Sequence, residues 1–207
     1  MPAYSIDGVI PVVDPSSFVH PTAALIGDVI IGPNCYVGPG ASLRGDFGRV
    51  RMGPGSNLQD NCVVHGFPNS ETVLEENAHI GHGAVLHGCI VRPSGMVGMN
   101  AVVMDDVEIG ENALVAAMSF VKAGFVVPPR MLVAGIPARV MRELSAQELA
   151  WKAEGTREYQ RLTRRCLESF VEVAPLAAPE ANRPRVKPAP AEPLHKIKRR
   201  ITEKPTP

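Results

Sequence analysis

The residues with the most chemical potential in this chain are its histidines. There are six: His20, His65, His79, His82, His87 and His195. Neutral imidazole is a metal ligand and a general base near neutral pH. Three imidazoles with an open fourth position form the ligand set of a catalytic zinc, which makes bound water nucleophilic. His65, His82 and His87 are the candidates. Gln59 and Asp60 lie close enough in sequence to orient a ligand or the water. Arg44 and Asp46 could serve the same centre, or pair with each other and brace a contact between subunits. His20 and His195 read as surface residues, and His79 as a neighbour of the site rather than a ligand.

Whether those residues meet depends on what carries them. Aliphatic residues recur every six positions: Val19, Leu25, Ile31, Val37 and Leu43, then Met52, Leu58 and Val64, then Leu74, Ile80 and Leu86, then Val97 through Val133. A period of six fits neither a helix nor a lone alternating strand. It fits short strands joined by tight turns, three to a triangular coil of 18 residues. The fold expected is therefore mainly β, a parallel β-helix of hexapeptide repeats with about six to seven coils over residues 1–140. Its narrow bore favours aliphatic and small residues, Cys35 and Cys62 among them, and explains an aromatic content of only 5%.

The repeat frame places the histidines. His65 follows Val64 and His87 follows Leu86, so both hold one slot; their separation is 22, a coil of 18 plus four inserted residues. Arg44 follows Leu43 and precedes His65 by 21, a coil plus three. Arg44, His65 and His87 thus form one column. His82 lies two after Ile80 and shares a different corner with Asp60. One chain does not easily bring the two corners together, whereas a threefold oligomer does. The insertions after Leu43 and Val64, and a one-residue deletion between Leu86 and Val97, are expected to fall at corners as loops, where function concentrates.

Beyond the coil, Ser145–Glu148 forms a capping box that should open a helical segment over 141–174, with a break at Gly155 and an apolar stripe through Tyr159, Leu162, Cys166, Phe170 and Val173. Residues 175–207 are expected to be a disordered, Pro-rich basic tail. The formal net charge is zero, 21 basic against 21 acidic side chains, which excludes a uniformly basic nucleic-acid binder. Neither a signal peptide nor a membrane span is apparent, and four cysteines without a CxxC pair suit a reducing cytoplasm.

Arg44-Gly45-Asp46, Asn57-Leu58-Gln59-Asp60-Asn61, His65, and His82 with His87 five residues on are similar to the motifs of the γ-class carbonic anhydrase family. The resemblance implies a left-handed coil and a homotrimer with one metal at each interface. Two ligands would come from one subunit and one from the next. Zinc has the family precedent, with iron or cobalt as alternatives. Leu43–Phe47, His65–Pro68, His79–Gly83, Met118–Ala123 and Arg142–Lys152 further resemble the subgroup of phenylacetic-acid-degradation proteins of the PaaY type, with the carnitine-metabolism CaiE type as near relatives. That subgroup implies hydrolysis of CoA thioesters of dead-end aromatic or ring-opened intermediates. Phe47 and Pro68 stand where the archetypal γ enzyme carries proton-handling glutamates. This departure counts against fast CO2 hydration, and Phe47 and Phe67, with Asn57, become candidate substrate-pocket residues. Reversible hydration of CO2 stays open as an alternative. So do a hexapeptide acyltransferase, which relies on one histidine and no metal, and a non-enzymatic scaffold.

Overall fold

The computed structural model describes residues 2–186 and 192–197. They form a parallel β-solenoid of about seven turns followed by one long helix, the left-handed β-helix of hexapeptide repeats. The solenoid is a triangular prism. Face one carries β3 (Phe18–Val19), β5 (Tyr36–Val37), β7 (Asn57–Leu58), β10 (His79–Ile80), β13 (Met96–Val97), β16 (Leu114–Val115) and β19 (Met131–Gly135). Face two carries the first halves of β4 (Ala24–Ile31) and β6 (Ser42–Met52), then β8 (Val63–His65), β11 (Val85–His87), β14 (Val102–Val103) and β17 (Phe120–Val121). Face three carries β2 (Val12–Val13), the second halves of β4 and β6, then β9 (Glu71–Leu74), β12 (Ile90–Val91), β15 (Glu108–Ile109) and β18 (Val126–Val127). The short β1 (Ala3–Tyr4) pairs with β4 at the N-terminal end.

The six-residue period is the core. Leu25, Leu43, Val64 and Leu86 on face two are fully buried, as are Leu58, Ile80 and Val97 on face one. Corners turn through left-handed backbone, filled mainly by Asn, Asp and Gly. At Gly83 (φ +70) a side chain would also strike Asn100, so the turn just after His82 is closed to anything larger.

The three faces differ outside. Face one is covered by the helix. Face three is laced with ion pairs, Arg92 with Glu75 and Glu108, and Arg49 with Asp28 and Glu71. Face two presents Val63, Val85, Val102 and Phe120 outward.

Four details depart from the sequence-based expectation. The insertion after Leu43 is not a loop. Strand β6 runs through it, and the register with β4 jumps from Gly27↔Gly45 to Val29↔Val50, so that Asp46, Phe47 and Gly48 arch outward as a bulge. The coil ends in an antiparallel strand, β20 (Ala138–Glu143), paired back onto β19. The helix α1 therefore spans Ala146–Ser169, starting later than 141. It passes through Gly155 unbroken, because the face it docks supplies enough contact to hold a weak helix former. Its fully buried residues are polar, Glu148, Lys152, Thr156 and Thr163, while Phe170 and Val173 lie beyond its end and are exposed. The capping box at Ser145–Glu148 is present as expected. Of the tail, residues 187–191 and 198–207 lie outside the described residues; 175–186 carry no helix or strand.

Candidate metal centre

The structure puts His65 and His87 side by side in one column, paired in register between β8 and β11. Their rings face each other with His65 Nδ1 and His87 Nε2 3.2 Å apart. Two ligands of a tetrahedral zinc with bonds of about 2.0–2.1 Å are separated by about 3.3 Å. The irregularities of the repeat build the surroundings. The β6 bulge brings Asp46 Oδ1 to 3.0 Å from His65 Nε2, and Arg44 Nε donates to Asp46 Oδ2 at 3.0 Å. Arg44 Nη2 lies 3.4 Å from the same His65 nitrogen. The deletion after His87 places Gly88 in left-handed backbone beside Asp105, whose Oδ1 lies 2.6 Å from His87 Nδ1.

Phe47 and Phe67 stand over the pair. Phe47 lies 5.2 Å from the His65 ring and Phe67 5.1 Å from the His87 ring, and both are about 60% exposed. The two insertions also lock together. Arg49 N–H donates to the Ser70 carbonyl, Ser70 Oγ to the Phe67 carbonyl, and Thr72 Oγ1 to the His65 carbonyl.

His82 sits at the other corner, as the frame required. Its Nδ1 is 3.2 Å from Asp60 Oδ2, and both side chains are about 40–50% exposed. Each of the three candidate ligands thus has one ring nitrogen against a carboxylate: Asp46, Asp60 or Asp105. That is the outer-shell arrangement that fixes a metal-binding histidine's tautomer. The sequence reading does not include Asp105, which lies one position past the slot that follows His87, because the coil between them is one residue short. Burial raises the Asp46 carboxyl's pKa, but hydrogen bonds from Arg44 and His65 outweigh it and leave the pKa below the usual carboxylate value.

Among the described residues, no group of three or more His, Cys, Asp or Glu in one protomer is arranged to hold a metal ion. The His65–His87 pair and His82 are separate half-sites on opposite edges of face two.

Asn57, Gln59 and His79 belong to a buried network under α1. Asn57 is 0% exposed, so it lines no surface of the protomer, contrary to its assignment as a pocket residue. Gln59 Nε2 donates to Asn57 Oδ1 at 3.0 Å and to His79 Nε2 at 2.8 Å. Its Oε1 accepts from the His82 N–H at 3.2 Å. Gln59 therefore holds the backbone of His82, and its amide group is fully engaged within the network. His79 contacts Thr156 Oγ1 at 3.3 Å, and Tyr159 packs edge-on against it. Burial, then the charges of Lys152 and His82, push its pKa down to about 4 and keep it neutral. His195 is exposed; His20 packs between Phe18 and Phe170 at the far end of the helix.

The fold defines a hexapeptide-repeat β-helix protein, with histidines paired to carboxylates at two of its corners. No protein-family model matches the sequence. The chain belongs to the family of the carnitine operon protein CaiE. It is 56% identical to CaiE of Proteus sp. (strain LE138) over 187 residues, which is 90% of this chain and 95% of that protein. CaiE of Salmonella agona (strain SL483) is likewise 56% identical, over 90% and 94%. Among solved structures, a hexapeptide transferase family protein from Anaplasma phagocytophilum matches with a TM-score of 0.77 at 35% identity, over 79% of this chain and 97% of that one. The Bacillus cereus product of the BC4754 gene, provisionally named an acetyltransferase, matches at 0.79 and 30%, over 80% and 96%.

Proposed function

We propose that the chain is one subunit of a homotrimeric zinc hydrolase acting on acyl-CoA thioesters, with His65 and His87 of one subunit and His82 of the next holding the metal. The observation that carries this reading is the contact between His65 Nδ1 and His87 Nε2. Asp46 takes the N–H of His65 at Nε2, and Asp105 takes that of His87 at Nδ1. In those neutral tautomers two lone pairs face each other at 3.2 Å, an arrangement that a cation between them resolves. His82, with its Nδ1–H on Asp60, keeps Nε2 as the third donor. Iron or cobalt fits the same donors.

Face two supports the assembly. It lies between the half-sites, is apolar outside, and is neither capped by the helix nor laced with charge. Bringing one corner of face two against the opposite corner of a neighbour joins the half-sites.

Zinc bound there would supply a water that is nucleophilic at neutral pH and would polarise the carbonyl. The residues of the chain do the rest. Asp46, Asp60 and Asp105 hold the imidazole protons away from the donor nitrogens, and Arg44 fixes Asp46. Phe47 and Phe67 offer apolar surface where a carboxylate would export protons, which favours an organic acyl group over CO2. In the net reaction a water oxygen bonds to the thioester carbonyl carbon, the C–S bond breaks, and the sulfur leaves as thiolate to be reprotonated. Aromatic and ring-opened acyl groups are the proposed substrates.

The test is metal analysis of the purified protein with assays of thioester hydrolysis, CO2 hydration and acyl transfer, each against His65→Ala. Zinc near one per subunit and hydrolysis lost in the variant support the reading. Hydrolysis no faster than in His65→Ala overturns it, and CO2 hydration or acyl transfer in its place assigns the site to that chemistry.

A further inference from the structure

Between α1 and face one lies a cavity of about 450 Å³, within the size range of small-molecule sites. Met96, Met99 and Leu114 form its wall on the coil side, and Trp151, Gly155 and Tyr159 on the helix side. Its polar end is Gln59 with His82. Two charged residues also border it, and both have partners: Lys152 donates to the Ser94 carbonyl, and Glu158 pairs with Arg161. The interior is accordingly apolar, and it opens beside the histidine that this subunit would contribute to the metal.

Gly155 gives the cavity its clearest mark. A glycine inside a helix is destabilising relative to alanine. Packing does not demand it here, since an added Cβ would meet only His79 Cε1, at an ordinary 3.7 Å. The volume left by the missing side chain belongs to the cavity.

We infer that this cavity is the acyl pocket of the thioester site. It would take an apolar acyl group of aromatic-ring size, its carbonyl emerging at His82. The inference rests on the hydrolase reading for the identity of the ligand. Coenzyme A itself does not suit the interior, because its phosphates and adenine would meet methionine, leucine and tryptophan.

The sole tryptophan of the chain, Trp151, stands in the wall and reports occupancy. The probe is S-phenethyl-CoA, a thioether that cannot be hydrolysed, titrated against intrinsic fluorescence, with CoA alone as control. A saturable change with the thioether and none with CoA is expected. Gly155→Leu should weaken the thioether at least tenfold while the far-ultraviolet circular dichroism stays that of the wild type. Leu114→Phe narrows the cavity from the coil side and serves where Gly155→Leu does not fold. No fluorescence change with the thioether, or wild-type affinity in a folded narrowed variant, overturns the pocket. Should the protein bind no zinc and hydrolyse no thioester while Trp151 still responds to the thioether alone, the hydrolase reading falls and the acyl pocket stands.

Discussion

Lys152 is 3% exposed beneath α1, and burial alone lowers its pKa from the ordinary 10.5 to about 8. Its hydrogen bond to the Ser94 carbonyl does not offset the lost hydration. The folded protein therefore releases this proton more readily than the unfolded chain. Below pH 8 the ammonium is charged in both states, and its burial costs stability. Between about pH 8 and 10.5 the folded form is neutral while the unfolded form stays charged, so stability rises with pH. A shift of that size corresponds to roughly 3 kcal/mol across the window. Lys152→Met keeps the length and the apolar stem and removes the titration. Urea unfolding of both proteins at one protein concentration, from pH 7 to 10, reads the difference. At pH 7 the variant should equal or exceed the wild type, and its advantage should shrink steadily above pH 8. Other groups titrate in that range, but they are common to both proteins and cancel in the comparison. Curves that run parallel from pH 7 to 10 would refute the account of Lys152 as a charge buried at a cost.

Three other outcomes follow from the site and the helix. Asp105→Ala removes the acceptor 2.6 Å from His87 Nδ1 and should weaken zinc binding 10- to 100-fold, measured by competition with a chromophoric chelator, without unfolding the coil. Phe47→Glu restores a carboxylate over His65 and should raise CO2 hydration while lowering hydrolysis of aromatic thioesters by about tenfold, on the order of 1.4 kcal/mol; stopped-flow and thioester assays on one preparation decide it. Ser145→Ala removes the cap that accepts from Glu148 N–H and should cost about 1 kcal/mol in thermal or urea unfolding, with the solenoid's circular dichroism retained.

The solenoid is legible because its inward positions from Val19 to Val133 keep a period of six broken only at two insertions and one deletion, and a bore that narrow leaves a sequence little choice. The histidine columns were legible for the same reason. A strict frame turns a difference in residue number into a position, so each insertion could be subtracted. What the frame cannot describe is the shape of the insertions themselves. Whether the residues after Leu43 would loop or bulge depends on Gly45 packing against the backbone of Asp28, a contact invisible in the period. The docking of α1 is hidden from the period for a related reason. Apolar spacing does not mark its inner face, because face one presents Asn57, Gln59 and His79 there, and polar partners select Lys152 and Thr156. Asp105 escapes the frame because the coil after His87 is one residue short: Leu86 pairs with Val103, and Asp105 lies one position past the slot that follows His87.

The three outer faces explain why the centre is divided. On the proposed reading, the lone pairs of His65 and His87 converge at a cost in an isolated subunit, and the cation that would relieve it needs a third donor from elsewhere. With face one closed by α1 and face three committed to its own ion pairs, the proposed trimer would supply that donor through face two. On the proposed reading, metal binding and assembly are then one linked equilibrium: zinc binds the trimer more tightly than the subunit and stabilises it by mass action. Gln59 extends this linkage into the fold. Its amide holds the backbone of His82 on one side and the His79 network under the helix on the other, so anything that loosens α1 also loosens the third ligand.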